Sequence, residues 1–97
     1  MSTLSIVEVD GPLQDVVKAL QGIREPHKLR RMKALWDGGA VRMQIGRAAA
    51  TAFWVDEDHV TVLNIQERLE TGATESVVDH LSEALPYEVT ASLKFVA

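Results

Sequence analysis

Hydrophobic and polar positions change period several times along the chain, and each change marks an element. Residues 4–9, with Leu4, Ile6, Val7 and Val9, are rich in branched apolar side chains and stop at Asp10-Gly11-Pro12, which predicts a strand closed by a turn. Pro12 suits the first turn of a following helix, where its missing N–H is not needed. Leu13, Val16, Val17, Leu20 and Ile23 recur at helical spacing, and Gly22 weakens the end of that stripe. From Pro26, a second helix is expected with Leu29, Met32, Leu35 and Trp36 on one side and His27, Lys28, Arg30, Arg31 and Lys33 around the rest. Asp37-Gly38-Gly39 stops it.

Beyond those glycines the period drops to two. Val41, Met43 and Ile45 alternate with Arg42 and Gln44, and Gly46-Arg47 reads as a turn. Residues 49–55 form the next predicted strand, whose alanines (Ala48, Ala49, Ala50, Ala52) leave room for something bulky to pack closely. Asp56-Glu57-Asp58 is a hairpin loop, and residues 59–66 continue as a strand through Val60, Val62, Leu63 and Ile65. After a polar connection at 67–72, Thr74 is the expected N-cap of a helix with Val77, Val78, Leu81, Ala84 and Leu85 as its apolar stripe. Glu75 suits the positive end of its dipole. Pro86 ends it, and Tyr87, Val89, Ala91, Leu93 and Phe95 alternate with Glu88, Thr90, Ser92 and Lys94 in a last strand. The predicted order is β-α-α-β-β-β-α-β, a single α+β domain over residues 1–97 with an antiparallel sheet and helices packed mainly on one face.

Length and composition restrict this picture. A chain of 97 residues is too short for two self-supporting cores and buries only roughly 60–65% of its unfolded surface, so a partner or second copy would add useful burial. With no cysteine, disulfides, thiol nucleophiles and thiolate metal sites are excluded, and a reducing, cytoplasmic setting is expected. Apolar runs fall far short of the ~20 residues that span a bilayer. No basic start leads into an apolar run, so no secretory signal and no membrane association are expected.

The net charge of -4 conceals an asymmetry. Residues 1–54 carry eight Lys/Arg against five Asp/Glu, a balance of +3, whereas residues 55–97 carry two against nine, a balance of -7. The total argues against a free nucleic-acid binder, but the distribution permits a basic surface beside an acidic one.

Candidate chemistry is sparse. The chain contains no G-x-S-x-G, H-E-x-x-H, phosphate loop or G-x-G-x-x-G, and no cofactor or metal site is expected. The basic surface candidates are Arg24, Lys28, Arg30, Arg31 and Lys33, to which a neighbouring strand can add Arg42. Such a group can contact phosphates, meet an acidic protein, or serve as a solvated helix face. The acidic surface candidates are Asp56, Glu57, Asp58, Glu67, Glu70, Glu75, Asp79 and Glu83. They form either a solvated face or a phosphate-mimicking surface for a nucleic-acid-binding complex. Because neighbours on a strand face opposite ways, Phe53 and Trp54 cannot both enter one core, and Trp54 is the candidate interface aromatic. His27, His59 and His80 have neither an orienting carboxylate nor a nucleophile assigned by the sequence.

Residues 13–85 resemble the RelE/ParE toxin superfamily. The resemblance is carried by His27-Lys28-Leu29-Arg30-Arg31-Met32, by Val41-Arg42-Met43-Gln44-Ile45-Gly46, and by the hairpin Val55-Asp56-Glu57-Asp58-His59-Val60-Thr61-Val62-Leu63. It implies a helical pair on a twisted antiparallel sheet. In ribosome-dependent members, basic residues on the sheet support metal-free mRNA cleavage, which would make Arg42 the cation on the scissile phosphate and Arg47 or Arg68 a second cation. The chain departs from that pattern in the alanine-rich segment 48–52, in having no Tyr or His after Arg68 at the expected place, and in its acidic second half.

Three functions are therefore expected of such a chain. The leading one is a small non-enzymatic protein-binding regulator or inhibitor of phage or mobile-element type, acting through an acidic or amphipathic face on a protein partner, including a nucleic-acid-binding complex. The alternative is a divergent RelE-like ribosome-dependent mRNA endonuclease, with RNA and the ribosome as partners. The third is a homo-oligomeric structural module that pairs sheet edges, with the 87–95 strand as the candidate edge.

Overall fold

A computed structural model describes residues 2–24, 27–34, 39–68 and 71–96, with residues 33, 34 and 92–96 described by their backbone. The elements are β1 (Thr3–Val9), α1 (Leu13–Leu20), β2 (Leu29–Ala34), β3 (Val41–Ile45), β4 (Ala48–Val55), β5 (Val60–Glu67), α2 (Ala73–Ala84) and β6 (Val89–Val96). The strands form one six-stranded sheet in the order β2-β3-β4-β5-β1-β6, and every neighbouring pair is antiparallel. The chain is thus an α+β domain. The strands from β2 to β5 form a meander, and β1 is the spine that joins its last strand to β6.

The second helix predicted from residue 26 is corrected: residues 29–34 are the edge strand β2. Pro26, Leu35 and Trp36 from that prediction lie outside the described residues. The physical reason is a bulge. Leu29 pairs with Ile45 and Arg31 pairs with Gln44, so Arg30 is an extra residue with no partner of its own. In a regular strand Leu29 and Met32 would face opposite ways; the extra residue puts both on one face and so imitates the three-residue spacing of a helix. Cross-strand pairing with β3, through Met32 with Met43 and Lys33 with Arg42, settles the competition in favour of the sheet.

Alternation on the remaining strands places the core. Val7 and Val9 of β1, Met43 and Ile45 of β3, Ala48, Ala50 and Ala52 of β4, and Leu63 and Ile65 of β5 are buried in one cluster with Val16 and Leu20 of α1 and Val77 and Leu81 of α2. Both helices therefore close over the same side of the sheet. The β4 alanines supply the space that lets α1 lie directly against that strand. Burying each large aliphatic side chain contributes about 1.5–3 kcal/mol.

The start of α2 is also corrected. Its N-cap position is Gly72, in the left-handed conformation at φ 80°, and not Thr74. Capping comes instead from Glu67 at the end of β5, whose Oε1 accepts the Ala73 backbone N–H at 3.2 Å, the Thr71 N–H at 3.2 Å and the Thr71 hydroxyl at 2.7 Å. Its Oε2 accepts the Thr74 hydroxyl at 3.2 Å. A carboxylate at the positive end of the helix dipole satisfies donors that the helix itself leaves open. At the opposite end of the sheet, the Thr61 hydroxyl donates to the Gly11 carbonyl at 2.7 Å, and Tyr87 stacks so tightly on Gly11 that a Cβ there would run into its ring.

Candidate binding face

The side of the sheet away from the core cluster is built from the other half of each alternating pattern. Cross-strand register orders it into rows. One row runs Arg31, Gln44, Ala49, Gln66, Leu4 and Phe95; the next runs Lys33, Arg42, Thr51, Asn64, Ile6 and Leu93. A third begins at Phe53 and continues through Val62 to Glu8. Each of the first two rows passes from a cation on the β2 edge, through small or amide side chains, to an aliphatic residue on β1. Leu4, Ile6, Phe53 and Val62 are half-buried although no described helix lies over them.

Where the first two rows cross β3 and β4, the surface dips. Ala49 and Thr51 are short, and around them stand Arg31, Arg42, Gln44 and Gln66, forming an open concavity of about 430 Å³. The Gln44 side chain donates to the Gly46 carbonyl at 3.4 Å, a long contact that leaves most of its hydrogen-bonding capacity free. Neither guanidinium is in an ion pair with a described residue. Of the expected basic surface, Arg31 is the described residue that joins Arg42 in this concavity, and it does so from a strand in place of a helix.

The other basic candidates lie elsewhere. Arg24 and Lys28 are exposed in the connection between α1 and β2, and Arg30 is exposed at the bulge. Lys33 is the register partner of Arg42; its side chain lies outside the described set. Arg47 occupies the β3–β4 turn and Arg68 follows β5 at the same end of the sheet, both exposed. Four to five residues separate them from the level of Arg42, roughly 13–16 Å along a strand. Arg42, Arg47 and Arg68 are therefore not gathered into one pocket.

Of the acidic candidates, Asp56, Glu57 and Asp58 are exposed in the β4–β5 loop, and Glu75, Asp79 and Glu83 are exposed along α2. Glu70 lies outside the described residues. Glu67 is corrected: it is only 3% exposed and belongs to the helix cap, not to the surface. Burial by itself raises its pKa, but the hydrogen bonds from Thr71, Ala73 and Thr74 together outweigh that and hold it below the usual carboxylate range. The sequence signal that could have found it is the spacing from Glu67 to Thr71 and Thr74, an acceptor placed just ahead of a helix start.

Trp54 is 38% exposed at the 56–59 loop, where its Nε1–H donates to Asp56 Oδ1 at 3.4 Å and its ring lies 6.2 Å from that of His59. Phe53 is half-buried on the opposite face, so the two aromatics do divide between the sides of the sheet. His27 and His80 are structural: Nε2–H of His27 donates to the Thr71 carbonyl at 2.8 Å, its Nδ1 meets the Ser76 hydroxyl at 2.8 Å, and Nε2–H of His80 donates to the Ala19 carbonyl at 2.7 Å. Among the described residues no group of three or more His, Asp or Glu side chains is arranged to hold a metal ion. No described helix is long and apolar enough to cross a membrane.

No protein-family model matches this chain, and no curated protein is significantly similar to it.

Proposed function

We propose that this protein is a non-enzymatic binding module, a regulator or inhibitor that holds an acidic segment of a protein partner against the uncovered face of its sheet. The observation that carries this reading is the composition of that face: half-buried Leu4, Ile6, Phe53 and Val62 share it with Arg31 and Arg42, neither of which is in an ion pair with a described residue. Protein interfaces combine an apolar, desolvated centre with a polar rim, and Arg is favoured where carboxylates are recognised. The acidic stripe of α2 is the weaker candidate surface. Its exposed positions Glu75, Asp79 and Glu83 have no large exposed apolar neighbour on that helix.

The test places a photo-cross-linking residue at Thr51 or Val62 of the full chain in its native host, and at Asp79 as the comparison. A partner caught from Thr51 and Val62 and not from Asp79, containing an acidic segment that binds the purified protein in a salt-sensitive manner, is the expected result. Capture from Asp79 alone, or binding indifferent to both salt and Phe53→Asp, defeats the reading.

A further inference from the structure

We infer that the concavity between Arg31 and Arg42 is a phosphate-monoester site, which takes a phosphoserine or phosphothreonine of the protein partner. This rests on the reading of the uncovered face as the partner-binding surface, and adds what chemical group anchors there.

The number and kind of the donors carry the inference. Arg31 on β2, Arg42 and Gln44 on β3, Thr51 on β4 and Gln66 on β5 all line the concavity. A carboxylate has two oxygens in one plane, and a single guanidinium can satisfy it bidentately. A phosphate monoester presents three terminal oxygens in a tetrahedral array with close to two negative charges. Five side chains on four strands, two of them cationic, match the second ligand in charge and in number of donors. The floor agrees: Ala49 keeps the centre of the dip open, and any larger residue at that register position would fill it. Neither arginine would have to break an ion pair with a described residue to bind. On the same face, Glu8, Asp10 and Glu88 group with Val60 and Thr90, and none of them lines the dip.

Among the described residues, no histidine and no carboxylate lines the dip. The lining side chains are two guanidiniums, two amides, a hydroxyl and apolar residues, with Lys33 as the register neighbour of Arg42. The pH dependence of binding therefore comes from the ligand, whose second pKa is about 6.

The experiment is an NMR titration of the full-length, ¹⁵N-labelled protein with inorganic phosphate, with acetate at matched ionic strength, and with one acidic-apolar peptide carrying either phosphoserine or Asp at a central position. Phosphate is expected to shift the Arg31, Arg42, Gln44, Thr51 and Gln66 amides selectively. The phosphopeptide is expected to bind at least tenfold more tightly than the Asp peptide. Its affinity should rise about tenfold between pH 5 and pH 7.5, following the dianion fraction. Arg42→Gln and Arg31→Gln should each weaken it tenfold or more, with Arg47→Gln unchanged.

Equal affinity for the two peptides overturns the phosphate site and leaves the docking face standing. Phosphate-selective binding that survives Phe53→Asp but not Arg42→Gln supports the site and overturns the apolar part of the docking face. Shifts spread equally over Lys28, Arg47 and Arg68, or no phosphate response, overturn the site outright.

Discussion

The two faces of the sheet are drawn from the same strands and differ in almost every physical respect. On one side, alternate residues are mostly aliphatic or alanine and both helices close over them; of the buried polar side chains, Glu67, Thr61 and Thr74 have hydrogen-bond partners within the chain, whereas the Thr3 hydroxyl has none among the described residues. On the other side, cations, amides and aliphatics follow one another across each row and no described helix covers them. The contrast separates stability from recognition: one face holds the chain together, and the other has donors and apolar surface left over after folding is complete.

Substitutions can break or sharpen that division, and the largest effect belongs to the covered face. Ile65→Ala removes a fully buried side chain between β4, β1 and the helices. It is expected to cost about 2–5 kcal/mol by denaturant melting, a large part of the roughly 5–15 kcal/mol that holds a small domain together. Peptide binding to the surviving folded fraction should be unchanged. Weaker binding with unchanged stability would mean that the two faces are not separable.

Glu67→Gln comes next. An amide keeps one carbonyl oxygen for Thr71 and Ala73 but loses the negative charge at the helix start and turns an NH2 donor toward the Thr74 hydroxyl, with an expected loss of about 1–3 kcal/mol. Because Glu67 is held below its ordinary pKa of 4.5 in the folded protein, its contribution is fully present above that value and fades as the pH falls through the lower, folded pKa. Wild type should thus lose stability on acidification below about pH 4.5, and Glu67→Gln should flatten that part of the profile; parallel profiles would rule out the cap as the source.

Gly11→Ala drives a methyl group into the Tyr87 ring and is expected to destabilise by about 1–3 kcal/mol. Thermal melting checks it, and an unchanged midpoint would show that Tyr87 moves freely.

Arg42→Glu should be the mildest for the fold, within about 0.5 kcal/mol, and the most damaging for recognition. The same variant sets the binding module against the competing endonuclease proposal. If expression of wild type arrests growth with cleavage of ribosome-bound mRNA and Arg42→Glu does not, the enzyme reading gains; if both are harmless and only the wild type binds the acidic peptide, the binding module does.

Much of this division was legible in the sequence, and its failures have specific causes. Period-two alternation located β3, β5 and β6, and the same parity that put Met43 and Ile45 in the core put Arg42 and Gln44 outside it. The segment from Leu29 to Ala34 was misread because a single bulged residue, Arg30, converts strand parity into helical spacing, and a bulge depends on the pairing of β2 with β3 that no local pattern encodes. Glu67 was misplaced on the surface because local chemistry marks it as polar, whereas its burial depends on α2 folding back over β5. The dip at Ala49 required the register of three strands at once. The segregation of charge by sequence half survives partly in space: Arg31 and Arg42 lie toward the β2 edge, while Asp56, Glu57 and Asp58 cap the far hairpin.

The borrowed helix cap also bears on how the chain finds its fold. Glu67 can reach the start of α2 only when β5 is paired in its native register, because a slip of one residue would turn its side chain to the opposite face. Such a slip would expose Leu63 and Ile65 and leave the first N–H of α2, that of Ala73, without its Glu67 acceptor. The helix start and the strand register are thus coupled: the Glu67 contacts to Thr71, Ala73 and Thr74 are available only to correctly aligned strands.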